Sequence, residues 1–339
     1  MATEFEGEDL LGEYRPLGGD QLIVTFSNFA KRPPSRPFAT SFLASRGISY
    51  LAIRARRNEW YHTREFEMLR RKIGYENHGY NRVITYGSSM GGHAALRLAG
   101  FFGAERAIAV APQYSIDRSV MPTETRWPAE AEKVALLSRD DPHSISEGIE
   151  KLVIFDPLDT LDAAQAKRAL QVPGTVAIKA PLAGHGALQQ LKTAGLLSTF
   201  LEGLLAPQVD LGAARRLVRQ STKVPTSNYF YNLVWRRWKD TDPAKALALA
   251  AQREKANGLP DWKSLYLMAM LAKRAGRPPL ARQYCARSLE DIANVKTLSL
   301  ALNLLQMRES ELAEDVLNAR VPKVRHKAIE NLCRHLVEA

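Results

Sequence analysis

The chain has 339 residues, with 47 Lys and Arg against 36 Asp and Glu, a formal net charge of +11. This length predicts two domains rather than one core, and a hydrophobic content of 45% excludes an intrinsically disordered protein. The two cysteines, Cys285 and Cys333, have no spacing suited to zinc or to a disulfide framework, so we expect no metal site and a reducing compartment.

The N-terminal 14 residues are acidic and lack the basic start and apolar core of a signal peptide. No window of about 18 consecutive apolar residues occurs, so we expect no membrane span. Together with the cysteine usage, these features predict a cytoplasmic protein.

Short apolar runs alternate with helical patterns in the first 206 residues. The runs are nearly continuous in Val, Ile and Leu, which is typical of strands in a parallel sheet that is covered on both faces. The alternation predicts an α/β fold with a doubly wound, mostly parallel sheet, whose functional groups collect at the carboxyl ends of the strands. The predicted strands are 21–26, 48–53, 82–87, 106–111, 151–156 and 175–180.

The segment Gly87-Ser88-Ser89-Met90-Gly91 fits the pattern G-x-S-x-G between a predicted strand and a predicted helix. A turn sharp enough to raise a serine above the sheet crowds strand against helix, so small residues are needed two before and two after it. Ser89 has glycine at both positions, whereas Ser88 has Tyr86 two before it. The pattern predicts Ser89 as a nucleophile; a turn with glycines for packing alone is the alternative.

A serine nucleophile needs a base, and the base needs an acid that orients it. His185 follows the last predicted strand and precedes a long amphipathic helix, which places it at the same edge of the sheet as Ser89. Three acids follow the strand before that one. We expect Asp159, in the turn, to orient His185, with Asp156 as the alternative, and we interpret Asp162 as the N-cap of the next helix.

The order Ser89, Asp159, His185, with the serine turn after a central strand, resembles the α/β-hydrolase superfamily over residues 15–205. The resemblance implies a serine hydrolase that cleaves a carboxylic ester through an acyl-enzyme intermediate and needs no cofactor or metal. It also implies an oxyanion hole formed by the backbone N–H of Met90 and by that of Asn28 or Phe29. Ser27-Asn28 replaces the family's usual His-Gly pair there.

The segments "VTFSN", "RNEWYHT" and "GHGAL" also resemble α/β-hydrolase-like proteins associated with bacterial glycan modification. This resemblance implies an acyl group on a carbohydrate as the substrate class, with hydrolysis or O-acyl transfer as the outcome. A non-catalytic scaffold with the same fold is the alternative.

Loops after the strands are expected to select the substrate. The first contains Arg54, Trp60 and Tyr61, and the second, residues 112–150, is long enough to form a partial cap that carries Gln113, Tyr114, Arg126 and Trp127. The arginines are expected to bind an anionic substrate group or to form a solvated rim. The aromatic residues are expected to line the pocket or to belong to the core.

Residues 207–339 differ from the front in charge and pattern, with 23 Lys and Arg against 13 Asp and Glu. Residues 207–240 form a basic, aromatic connector, which predicts a joint between domains or contact with an anionic polymer or membrane surface; no motif supports nucleic acid. Residues 241–339 have helical period, and alignment of Ala246, Ala281 and Ala313 gives spacings that resemble tetratricopeptide repeats. We expect an all-α helical-repeat domain, with a generic helical bundle as the alternative, and a protein or an anionic polymer as its partner.

Overall fold

The computed structural model describes residues 2–30, 36–134, 145, 148–223, 238–239, 241–257, 262–281 and 283–284, and the statements below concern these. The chain divides into two compact units, Met1–Tyr229 and Phe230–Ala339. Each unit is described by itself.

The first unit contains one eight-stranded sheet in the order β1-β2-β4-β3-β5-β6-β7-β8. The strands are β1 (Thr3–Glu6), β2 (Leu10–Arg15), β3 (Gln21–Phe26), β4 (Ser49–Ala55), β5 (Arg82–Ser88), β6 (Arg106–Val110), β7 (Glu150–Phe155) and β8 (Thr175–Lys179). β1 and β2 run antiparallel to their neighbours and all other pairs are parallel. The mostly parallel sheet confirms the α/β part of the expected fold class and fits the α/β-hydrolase fold.

Helices cover both faces of this sheet. They are α1 (Thr40–Ser45), α2 (Phe66–Ile73), α3 (Met90–Arg97), α4 (Pro128–Lys133), α5 (Thr160–Ala169), α6 (Ala187–Thr193), α7 (Leu197–Leu205) and α8 (Leu211–Ser221). In β3, Leu22 and Val24 pack in a core with residues of α2 and α3, whereas Ile23 packs in a second core with residues of α1 and α7. The near-continuous apolarity of the strand follows from this double coverage.

The structure adds one hairpin that the sequence analysis missed. β1 and β2 alternate between more and less buried residues, and the solvent-facing positions include Glu4 and Glu6. An antiparallel edge with one solvent-exposed face has this alternation rather than a continuous apolar run. The hairpin therefore lacks the continuous apolar run that marks the other strands in the sequence.

Two boundaries also differ from the expectation. The helix expected after His185 is two helices, because the chain turns at Gly195 with φ +70° between α6 and α7. The first unit continues beyond residue 206, since Ala214 and Val218 of α8 pack in the same core as Leu201.

In the second unit, helices α9 (Pro243–Asn257) and α10 (Trp262–Arg274) pack as a pair. Ala246, Ala250, Leu271 and Ala281 are buried in their common core. Residues 285–339, which include Ala313, and residues 224–237 and 240 of the basic connector lie outside the described residues, so the repeat array stays a prediction. Within the described part of the chain, the helices are too short or too polar to cross a membrane.

Candidate active site

Ser89 lies at the sharp turn between β5 and α3. Its backbone has φ 55° and ψ −122°, a region that costs strain for any residue other than glycine. Its side chain is largely buried, with 7% of the residue exposed. This is the geometry of a serine raised at the carboxyl edge of a sheet by a strand-to-helix turn.

The glycines beside Ser89 are required by backbone contacts. A Cβ at Gly87 would lie 2.1 Å from the carbonyl oxygen of Gly91, and a Cβ at Gly91 would lie 2.2 Å from that of Phe26. Both distances are far inside van der Waals contact, and the opposing atoms are backbone. Strand and helix therefore approach closely only because both positions lack a side chain.

His185 and Asp162 form a direct side-chain contact. Nδ1 of His185 lies 2.7 Å from Oδ2 of Asp162. The carboxylate side chain is fully buried, whereas the imidazole is 42% exposed. Because the carboxylate accepts, Nδ1 carries the proton and Nε2 is left as the proton acceptor. This is the arrangement of a base oriented by an acid.

The acid in contact with His185 thus differs from the expected Asp159. Asp159 is the N-cap of α5, and its carboxylate accepts the backbone N–H of Asp162 at 3.1 Å. The carboxylate of Asp156 is bound to backbone amides and accepts those of Leu182 at 2.9 Å and Gly184 at 2.8 Å. Asp156 thereby shapes the turn that carries His185, and Asp162, in the first turn of α5, is the residue that reaches the imidazole.

Arg126 binds the second carboxylate oxygen of Asp162. Its guanidinium donates to Oδ1 of Asp162 at 2.7 Å and to Glu124 at 2.7 Å. Burial alone would raise the pKa of Asp162, but the hydrogen bond from His185 and the Arg126 charge hold it below the ordinary value of an aspartate. Asp162 is therefore a buried anion shared between a histidine and an arginine.

The hydroxyl of Ser89 is hydrogen-bonded to Gln113. Ser89 Oγ and the indole Nε1 of Trp60 each lie 3.3 Å from Oε1 of Gln113. An indole N–H can only donate, so Oε1 must face it and must accept from Ser89 as well. His93 is bound nearby, with Nδ1 2.9 Å from the carbonyl oxygen of Gln113.

Ser89 and His185 share one cavity of about 390 Å³. Three aromatic side chains, Phe29, Phe38 and Trp127, form much of its wall. Its other lining residues are Asn28, Ser88, Gly186, Leu188 and Gln189. Among the lining residues in the described part of the chain, His185 is the only titratable side chain.

Of the two expected sources of oxyanion donors, one lines this cavity and the other directly follows Ser89 in the chain. Met90 is the first residue of α3, and the first N–H groups of a helix have no intrahelical acceptor. Asn28 and Phe29 line the cavity between two anchored amides: Ser27 N–H donates to Ile53 and Ala30 N–H donates to Asn58.

The expected substrate-binding residues Trp60 and Tyr61 are buried beside residues 27–30 and are not among the residues that line this cavity. Trp60 is fully buried, and the Tyr61 hydroxyl donates to the carbonyl oxygen of Ser27 at 2.7 Å. Both have positive φ, of 50° and 62°, so the chain is strained to deliver them. They line a separate cavity of about 240 Å³ with His62, His93 and Arg97.

Arg54 and Gln113 are likewise placed away from the cavity wall. Arg54 lies in β4 opposite Leu11 of β2, within the sheet. Gln113 is fully buried and contacts Ser89 itself. Of the residues expected from the cap, Trp127 lines the cavity, Tyr114 is buried in the core, and Arg126 binds Asp162 instead of solvent or substrate.

One pattern in the sequence could have identified Asp162. Asp159 and Asp162 have the spacing of a capping box, in which the first residue caps the helix and the residue three later lies in its first turn. With Asp159 as the N-cap, the carboxylate of Asp162 is not needed for capping and is available to bind His185. The contact with Arg126 has no comparable signal, because it joins positions 36 residues apart. In the described part of the chain, no group of three or more His, Cys, Asp or Glu residues is placed to hold a metal ion.

No family model and no curated protein matches this chain. Solved structures with a similar chain course include the capsule O-acetyltransferase of Neisseria meningitidis serogroup A, with 16% identity, a TM-score of 0.42, and 60% of this chain and 93% of that chain covered. Est1E from Butyrivibrio proteoclasticus has 14% identity and a TM-score of 0.41, with 61% and 99% covered. Mouse alpha/beta hydrolase domain-containing protein 10 has 16% identity and a TM-score of 0.40, with 60% and 98% covered. At these values, the site has to be interpreted from its own geometry.

Proposed function

We propose that this protein is a serine hydrolase that cleaves a carboxylic ester through an acyl-enzyme intermediate. The observation that carries the proposal is the pairing of His185 with the buried Asp162, together with the cavity that His185 and Ser89 at its strained turn both line. A nucleophile, a base and an orienting acid that come together from three separate segments of the chain are the parts that acyl transfer needs.

In the proposed reaction, the Ser89 hydroxyl leaves Gln113 and turns toward Nε2 of His185. The imidazole accepts the hydroxyl proton while Oγ attacks the acyl carbon, and Asp162 stabilises the imidazolium that forms. The amides of Met90 and of Asn28 or Phe29 donate to the oxyanion. His185 then protonates the leaving alcohol, and water activated by His185 releases the acid from Ser89.

The aromatic part of the cavity wall supports a substrate with apolar groups. Phe29, Phe38 and Trp127 present apolar surface of the kind that packs against an acyl chain or the face of a sugar ring. An acyl group on a carbohydrate is therefore included in the proposal. Transfer of the acyl group to a second hydroxyl uses the same residues, with that hydroxyl in the position of the water.

A fluorophosphonate probe tests the nucleophile. The wild-type protein should form a covalent adduct, Ser89→Ala should form none, and Ser88→Ala, the matched variant at the neighbouring serine, should still be labelled. Turnover of p-nitrophenyl acetate should fall by ~10³-fold or more in Ser89→Ala. An unlabelled wild type, or equal labelling of Ser89→Ala, would contradict the proposal and favour a non-catalytic scaffold.

The substrate is tested with p-nitrophenyl esters of rising chain length beside acetylated sugars. Product analysis in the presence of a free sugar separates the two outcomes: free acid indicates hydrolysis, and an acylated sugar indicates transfer. Equal rates on all esters would contradict selection by the aromatic wall.

A further inference from the structure

The buried contacts of Asp162 extend beyond a triad. Its Oδ2 faces His185 and its Oδ1 faces Arg126, both at 2.7 Å. The side chain of Asp162 has no exposed surface, and that of Arg126 is only 21% exposed. A guanidinium this close to a buried carboxylate binds strongly and shares its charge.

Arg126 is itself held by a second buried acid. Its Nη2 lies 2.7 Å from Oε2 of Glu124, and Gln165 of α5 donates to the same oxygen at 2.9 Å. The side chain of Glu124 is 1% exposed. Glu124 therefore holds the Arg126 guanidinium in one orientation toward Asp162.

Arg126 also precedes Trp127, which forms part of the cavity wall. Both lie in the segment between β6 and α4, so the stretch of chain that borders the substrate also supplies the second partner of the acid. We propose that Arg126 is a positioning residue, which holds Asp162 against His185 and offsets the negative charge that Asp162 presents to the imidazole. This inference rests on the proposed role of His185 as the base.

The charged groups around His185 give the direction of the effect. Asp162 faces the imidazole directly, Arg126 and Glu124 lie behind it, and Asp156 and Asp159 bind backbone amides of the flanking turns. The positive charge of Arg126 beside Asp162 reduces the stabilisation that the carboxylate gives to an imidazolium. Removal of Arg126 should therefore let His185 hold its proton to higher pH.

The test measures the titration of His185 in the full chain. Imidazole ¹³C resonances are recorded against pH and assigned with His185→Gln, and the acid limb of kcat/KM for p-nitrophenyl acetate is measured beside them. In Arg126→Gln both midpoints should rise by about one pH unit. Arg126→Lys keeps the charge, so its midpoints should stay close to those of the wild type.

Because Arg126→Gln leaves Glu124 without its cation, the double variant Glu124→Gln, Arg126→Gln is measured as well, with circular dichroism as the check on folding. Its shift should also be upward but smaller, because the Glu124 anion is removed together with the Arg126 cation. An unchanged His185 midpoint in a folded variant, or failure of both variants to fold, would overturn the proposal in favour of a purely structural arginine. The resonance titration does not need turnover. If the wild type has no esterase activity, the proposed function is contradicted, and the titration still decides whether Arg126 acts on His185.

Discussion

Ser89 and Gln113 are joined by a hydrogen bond of 3.3 Å between Oγ and Oε1, in which the serine hydroxyl donates. The same oxygen accepts from the indole of Trp60, which is fully buried. The Ser89 hydroxyl is therefore held by a buried amide, and the indole of Trp60, a residue with positive φ, orients that amide.

The first prediction concerns this buried acceptor. Gln113→Met should lower the free energy of unfolding by about 1–3 kcal/mol, because the indole N–H of Trp60 loses its buried partner. Urea unfolding followed by circular dichroism measures the change.

Trp60→Phe removes the donor instead, and the two substitutions together give a double-mutant cycle. We expect a coupling energy of about 1 kcal/mol between them. Strict additivity would contradict the shared hydrogen bond.

The second prediction concerns the close approach of α3 to β5 and β3. Gly87→Ala and Gly91→Ala should each lower the free energy of unfolding by about 3 kcal/mol or more, the upper end of the usual cost of overpacking, because each Cβ meets a backbone oxygen that cannot move aside. Gly203→Ala in α7 is the matched control, since nothing lies within 4 Å of a Cβ there. That control should be neutral or stabilising by up to about 1 kcal/mol.

The third prediction separates the two acids of the loop after β7. Asp162→Asn should lower kcat for ester hydrolysis by ~10⁴-fold, because an amide does not hold the imidazole in the required tautomer. Asp159→Asn should change kcat little, since asparagine caps a helix about as well as aspartate. A larger loss in Asp159→Asn would show that the contact with His185 is not the catalytic one.

The fourth prediction follows from the lowered pKa of Asp162. A carboxyl whose pKa is lower in the folded chain stabilises the fold above its ordinary pKa of about 4, and this contribution is lost as pH falls through the folded value. Urea unfolding between about pH 5 and pH 2 should therefore show a steeper loss of stability in the wild type than in Asp162→Asn. Parallel slopes would contradict the assignment.

The elements that depend on local pattern were predictable. Strands β3 to β8 are continuous apolar runs because both faces of the sheet are covered, and the serine turn follows from glycines at fixed offsets from Ser89. The hairpin of β1 and β2 was missed because its alternation with glutamates is the pattern of a half-exposed edge.

The partners of the site depend on tertiary structure. Asp156, Asp159 and Asp162 lie within seven residues, and local pattern alone does not say which carboxylate reaches His185, because that depends on how the turn after β8 folds over the start of α5. Arg126 approaches Asp162 from a segment 36 residues away, and Gln113 approaches Ser89 from the segment after β6. The sequence by itself determined strands β3 to β8 and the glycine-flanked turn at Ser89; the packing of loops decided which acid contacts His185 and which amide contacts Ser89, since such contacts join distant segments and leave no periodic trace.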